Sequence, residues 1–505
     1  MKNLKLAACI IMVAIGMSSC SKDKESFGLT FRQTGYYFKW GGDAQSDSFS
    51  TKNVSAISVT AVSEGWNFTI DLPTLQYTIT PPTEPAEADK KESMRTGTAS
   101  ISVISHKGET AKYVLTFYII GDHAVNFNEG GKGYANCYVA TQPYALYSFD
   151  ATKIGNGTRT ISPADIQLLW QSTSLMIQHL AIDDNGTVSF FIDRAKDSDG
   201  KYIVENGEEV VPEGNEVIAA LDADENVIWS WHIWVIRESK NPITNACTYA
   251  NGKTFMDKNL GAFANSNGAT DDTDLILTSY GLYYQWGRKD PFTRPRYYNC
   301  AGGAAELIYG ASSGSTYITF EESDETIGTV EYATTHPKVF ITNAASVAEE
   351  GDGIGDWLQK ADGSLWSNTA KSDYDPCPYG WRVPAESDFD ILTLSDAEDG
   401  KDLDTARKQF GWSVSDGAAE YFYTGAGLRT YYNGVINNMN HKDGVYPSTP
   451  EPWEGYYWTS GQSADGKQSL CMYFDLTTTR TINKFNVRYP AKRANAMQIR
   501  CVRID

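Results

Sequence analysis

The chain has 505 residues and a formal net charge of −20, with 41% hydrophobic and 21% charged residues. That length and apolar content suffice for about three globular cores. The acidity argues against nucleic acid and against electrostatic docking on anionic lipid.

The first 19 residues read as a leader. Lys2 and Lys5 supply a positive start, and Leu6 to Met17 is an apolar run too short for a membrane span, which needs about 20 such residues. Met17-Ser-Ser-Cys20 resembles a bacterial lipobox, with Met where Leu is usual. Cleavage then leaves a lipidated Cys20 and a linker over 20–27, an arrangement that anchors a chain without spanning. Ser21-Lys-Asp-Lys-Glu25 resembles the charged tag that sends Bacteroidetes lipoproteins to the outer leaflet, so the expected location is the outer membrane surface. Losing Lys2 and Lys5 takes the charge from −20 to −22.

Residues 28–121 read as an immunoglobulin-like β-sandwich. Ile57, Val59 and Ala61 alternate with Ser and Thr, and Trp66-Asn-Phe-Thr-Ile70, Thr98-Ala-Ser-Ile-Ser-Val103 and Tyr113-Val-Leu-Thr-Phe-Tyr118 do much the same. Gly65-Trp66 and the run from Arg95 to Ile101 resemble the Bacteroidetes-associated carbohydrate-binding, often N-terminal domain, although the usual closing Gln is missing. A spacer role is expected of it ahead of sugar binding.

Residues 122–243 read as a second β-sandwich, with turn signals at Asp184-Asn-Gly186 and Asp199-Gly200. Val227 to Ile236 is apolar on both faces. Trp229, Trp231 and Ile233 point one way and Ile228, His232 and Trp234 the other, as on a strand covered on both sides. His232 reads as a core histidine.

In the last part, Asp375-Pro-Cys-Pro-Tyr-Gly-Trp-Arg-Val-Pro384 pins a cysteine on a turn stiffened by three prolines, with Gly380 free to take a positive φ. A short strand at Trp381–Val383 is expected, then a helix starting at Ala385, with Phe389 and Leu392 on one face. Together with Thr254–Leu260, Gly281–Phe292, Ala426–Gly434, Gly455–Ser460 and the ending Ile499-Arg-Cys-Val-Arg503, this stretch resembles the Fibrobacter succinogenes major paralogous domain. The resemblance covers residues 244–505 and implies an α+β, C-type-lectin-like fold. The expected architecture is thus multidomain and β-rich, with two immunoglobulin-like sandwiches followed by that module.

Six His residues form neither an HExxH motif nor a close pair, and no Walker loop occurs. Without a CxxC, a zinc ribbon or thioredoxin-like site is unsupported. Gly351-Asp-Gly-Ile-Gly-Asp356 and Asp197-Ser-Asp-Gly200 offer fragments of a calcium loop but no complete one. The lectin resemblance itself implies calcium only through Glu-Pro-Asn and Trp-Asn-Asp motifs, where this chain has Glu451-Pro-Trp453 and Trp458-Thr-Ser460. No cofactor is expected. The same fold is shared with formylglycine-generating enzymes, which implies an enzyme alternative using a closely placed Cys pair; Cys471 and Cys501 are candidates for it, with no surrounding motif in support. A purely structural role is a further alternative.

The family's geometry implies a disulfide between Cys377 and Cys501. Pairing among Cys137, Cys247, Cys300 and Cys471 stays open. Between Asn433 and Trp458 the chain is dense in Gly, Pro and Asn, which indicates a long loop. The resemblance makes it the ligand-holding region. Tyr446, Trp453 and Tyr456 are candidate stacking rings there, beside Asn437, Asn438, Asn440 and Asp443 as hydrogen-bonding groups. The alternative is that Trp453 and Tyr456 fold back into their own loop. The expected activity is binding or adhesion to an extracellular glycan or protein, in one variant as a fimbria-associated or tip subunit, and not catalysis.

Replacing the anchor cysteine, Cys20→Ala, is expected to move the protein into the soluble fraction and to end incorporation of labelled lipid. Retention in membranes with the label intact refutes the lipobox. On intact cells, externally added protease is expected to degrade the chain.

Overall fold

The computed structural model describes residues 26–33, 35–86, 92–120, 123–265, 272–297, 305–311, 313–344, 355–394, 410–437, 454–475 and 485–504. The chain is multidomain and β-rich. Its N-terminal sandwich has two four-stranded sheets. One orders Gly28–Phe31, Gln45–Lys52, Gln76–Thr80 and Asn67–Asp71; the other orders Gly35–Phe38, Thr110–Ile119, Thr96–Ser105 and Val54–Val62. Along Thr96–Ser105 the inward residues Ala99, Ile101 and Val103 are buried, while Ser100 and Ser102 lie on the other face. Ile57 and Val59 pair with Val103 and Ile101; Ile57 is partly buried against that core, while Val59 is exposed. Trp66, Phe68, Tyr77 and Phe117 fill the space between the sheets.

The middle of the chain forms a four-stranded sheet facing a six-stranded one. The larger orders Cys137–Ala140, Val227–Val235, Gly214–Leu221, Asp165–Gln171, Ile308–Tyr309 and Ser315–Thr316. Val227–Val235 is covered on both faces, as its sequence suggests. Trp229, Trp231, Ile233 and Val235 pack toward Phe149, Phe190 and Ile218. On the opposite side Trp234 and Ile236 join a core shared with Leu260, Trp286, Trp381 and Met497. His232 is buried in that face, with Nε2 2.9 Å from Asn215 Oδ1, and Asn215 Nδ2 donates to Gly261 O at 2.9 Å. Burial pushes His232 down to about 3. Two strands from beyond residue 300 extend this sheet, with Tyr309 opposite Gln171. The middle and C-terminal segments therefore share both a sheet and a core.

In the C-terminal part, Trp381–Arg382 pairs with Val502–Arg503, which pairs in turn with Thr254–Phe255. Cys377 and Cys501 are disulfide-bonded across this sheet. Gly380 takes φ +78°. The helix expected from Ala385 is one 3-10 turn, Glu386–Phe389. Asp388 explains the difference: its Oδ2 accepts from Arg382 at 2.9 Å and from Ala385 N at 2.8 Å, and the chain then enters the strand Thr393–Leu394. Phe389 and Leu392 are nevertheless buried together. Thr273–Ser279 and Val330–Thr335 are short helices of this part.

An aromatic cluster joins the two sandwiches. Tyr118 stacks on Phe191 at 4.5 Å and on Tyr37 at 5.5 Å, and its hydroxyl lies 2.7 Å from His179 Nε2. Tyr144 donates to Arg95 O at 3.1 Å. Burial lowers His179 from its ordinary 6.5 to about 4.

Two predictions follow from these joints. The Cys377–Cys501 bond closes a loop of 124 positions, which restricts the unfolded chain by about 5 kcal/mol at most. Cys377→Ala with Cys501→Ala is expected to lower unfolding stability toward that amount, read by urea titration; a loss below about 1 kcal/mol refutes it. His179 is neutral in the fold and titrates near 6.5 when unfolded, so its contribution is complete above pH 6.5. It falls away as pH drops toward 4, by roughly 3 kcal/mol. His179→Asn, which tolerates the positive φ at this position, is expected to flatten the pH dependence of stability between pH 6.5 and 4. An unchanged slope refutes the assignment.

Candidate functional site

The stretch expected as a long loop falls between the strands Ile436–Asn437 and Glu454–Gln462, and its residues 438–453 lie outside the described residues. Asn437 is exposed at the exit, on a strand paired with Leu428–Arg429. Asn438, Asn440, Asp443, Tyr446 and Trp453 lie outside the described residues. Tyr456 corrects the expectation of an exposed ring, for it is only 7% accessible. Glu454, Tyr456 and Trp458 share the strand face that turns into the core. Tyr456 donates to Glu454 Oε2, and its ring lies 5.1 Å from Tyr473, whose hydroxyl donates to Glu454 Oε1 at 2.8 Å. Burial and the adjoining Glu454 raise the Tyr473 hydroxyl above its ordinary range, so it stays a donor. Tyr473 stacks on Tyr489 at 4.4 Å. One carboxylate held by two hydroxyls thus underlies the point where the loop returns.

Trp458, Thr459 and Ser460 are interior. Trp458 Nε1 donates to Tyr284 O at 2.7 Å, Thr459 Oγ1 to Leu470 O at 2.7 Å, and Ser460 Oγ to Asn368 Oδ1 at 2.7 Å. Of the two calcium fragments, Asp356 is committed to Arg493 at 3.2 Å, and Asp197 Oδ1 closes its own turn onto Asp199 N and Lys201 N. The Cys471–Cys501 pair needed for oxidative chemistry does not form, because Cys501 is bonded to Cys377. Cys471 is buried, and burial pushes its thiol up.

Sequence reasoning missed the apolar rim beside the loop exit. Tyr317, Phe320, Tyr432 and Val435 are exposed by 68%, 47%, 40% and 40%. Phe320 sits on Thr319–Glu322, which pairs in parallel with Val339–Thr342, and its ring is 5.9 Å from Phe340. The Phe320 ring presses on Gly434, where a Cβ would meet it at 2.3 Å. Gly434 N donates to Thr430 O at 2.8 Å, closing the turn that presents Tyr432 and Val435. The signal for Phe320 is weak in the sequence. It lies in a short strand whose partner, Val339–Thr342, is fully buried.

No known family profile and no curated protein matches the chain. Among solved structures it is similar to SporoSAG from Toxoplasma gondii, at 6% identity over 40% of this chain and 94% of that one, with a TM-score of 0.13. It is similar to the N-terminal Ig1-2 module of the Drosophila receptor protein tyrosine phosphatase DLAR, at 9% identity over 42% and 99%, with a TM-score of 0.14. It is also similar to the Bacteroides ovatus mixed-linkage glucan utilization locus protein SGBP-B in complex with a heptasaccharide, at 11% identity over 41% and 43%, with a TM-score of 0.11. Likenesses at this level carry no argument about what the chain does.

Proposed function

We propose that this chain is an outer-membrane surface lipoprotein, lipidated at Cys20, that binds an extracellular glycan or protein through its C-terminal module. In this reading residues 28–121 are a spacer of the Bacteroidetes-associated type, 122–243 a second sandwich, and 244–505 a C-type-lectin-like major paralogous domain. A fimbria-associated or tip position is one setting for such a module. The observation that carries the reading is the exposed apolar rim of Tyr317, Phe320, Tyr432 and Val435 at the exit of the long loop. Exposed rings clustered on a stiff scaffold are what a recognition surface needs, since rings lose little entropy when they are covered. The enzyme alternative loses its cysteine pair to the disulfide.

The test uses the mature chain without its lipid on a glycan array and on a panel of extracellular matrix proteins. Binding to at least one target is expected, with Phe320→Ala plus Tyr432→Ala weakening it about tenfold or more while the melting temperature holds. No binding on either panel, or binding indifferent to both substitutions, overturns the assignment of this face.

A further inference from the structure

A concave surface lies away from the rim residues, at the seam between the middle sandwich and the C-terminal part. It is an open cleft of about 430 Å³, within the range of roughly 300–1,000 Å³ common for small-ligand sites. Asn156 and Thr158, from the loop between the paired segments Lys153–Ile154 and Arg159–Thr160, form one wall; Asp362, Ser364, Asp373 and Tyr374 form the other. Two observations show that the cleft is built. Gly155 takes φ +59°, and a Cβ there would lie 2.5 Å from the Asp373 backbone, so the walls meet closely. Asn136 Nδ2 bridges the seam below, donating to Asp373 O at 2.7 Å and Asp375 O at 2.9 Å.

The polar groups are already oriented. Asn156 donates to Lys371 O at 3.1 Å and accepts from Thr158 N at 3.0 Å. Asp362 Oδ1 accepts from Ser364 N at 2.8 Å and Ser364 Oγ at 2.6 Å. A carboxylate has about four acceptor positions, so this turn leaves Asp362 capacity for a ligand's hydroxyls. Asp373 is countered by Arg159 at 3.7 Å, and Arg159 also donates to the Tyr374 hydroxyl at 3.2 Å. Tyr374 is half-buried, its ring 5.6 Å from Trp229, and it also lines a small neighbouring pocket with Lys289 and Asp290.

We propose that this cleft is a binding subsite for a neutral saccharide of one to three units. Acceptors and hydroxyls fixed on two walls suit vicinal diols, and a ring at the base suits the apolar face of a sugar. The carboxylates disfavour acidic sugars and phosphate. Arg159 already balances Asp373, which leaves little for a polycation. The proposal rests on the glycan arm of the reading above but places the sugar on a different surface.

The experiment is ligand-observed NMR with titration calorimetry on the mature chain. Maltotriose, cellotriose, xylotriose and diacetylchitobiose serve as neutral probes, trigalacturonate as the acidic probe and trilysine as the cationic one. Saturable binding of at least one neutral probe is expected, with Ser364→Trp, at an exposed position, filling the cleft and abolishing it. Tyr374→Ala is expected to weaken it at least tenfold, and Phe320→Ala with Tyr432→Ala to leave it unchanged. If Ser364→Trp fails to fold, Asp362→Ala is read in its place. Absence of neutral-sugar binding, stronger binding of trigalacturonate or trilysine, or survival of sugar binding in Ser364→Trp overturns the cleft. Survival in Ser364→Trp with loss in the rim variant overturns the cleft alone and leaves the surface reading standing.

Discussion

The strand Val227–Val235 is covered on both faces, and the middle and C-terminal parts of the molecule depend on that. Its tryptophans divide between two cores: Trp229 and Trp231 go to the sandwich, and Trp234 to the C-terminal part. A buried tryptophan removes about 150–250 Å² from water, worth roughly 4–6 kcal/mol by area. Neither neighbour could stand apart without exposing one of these faces. The short strand Ile308–Tyr309 strengthens the joint by adding C-terminal backbone to the same sheet.

One polar contact of this strand reaches the C-terminal part. Ser230 Oγ donates to Asp290 Oδ1 at 2.5 Å, and Lys289 Nζ is 2.7 Å from the same oxygen. Burial lowers the Lys289 ammonium and the Asp290 charge offsets it. A buried pair of this kind adds little net stability, yet removing one partner strands the other charge, which typically costs about 3–5 kcal/mol. The two ions are neighbours in the chain and satisfy each other locally, and the Ser230 hydroxyl is what links them to the strand. Asp375 acts within the proline-rich turn. Its carboxylate takes Cys377 N, Val383 N and Lys371 Nζ at 2.8, 2.9 and 2.9 Å. The disulfide then ties that turn to the last strand.

This framework separates what holds the fold from what is free to recognise. The motif residues behind the family resemblance are mostly interior donors and acceptors. Gln285 Nε2 bridges Ile341 O and Ala494 O, Trp286 Nε1 reaches Thr459 O, Arg429 reaches Thr293 O, and Arg500 lies over Tyr423 at 3.8 Å. Such residues specify shape and say little about ligand. The two surfaces proposed for recognition, the rim and the cleft, lie between the motifs.

The sequence alone determined the elements whose cause is local. Alternation marked the inner face of Thr96–Ser105, continuous apolarity marked Val227–Val235 as covered twice, and Gly380 and the prolines marked the turn around Cys377. It also placed a histidine in the core at position 232. Tertiary structure decided the rest, because the deciding partners are distant in the chain. Asp388 turned a helical pattern into a single 3-10 turn by reaching Arg382. Tyr456 went inward because its strand parity puts it with Glu454 and Tyr473. The rim and the cleft were not legible, since each joins segments more than 100 residues apart whose side chains show no periodicity. Packing of the middle and C-terminal parts onto each other brings the cleft walls together, and folding of the C-terminal part alone brings Phe320 against Gly434 in the rim.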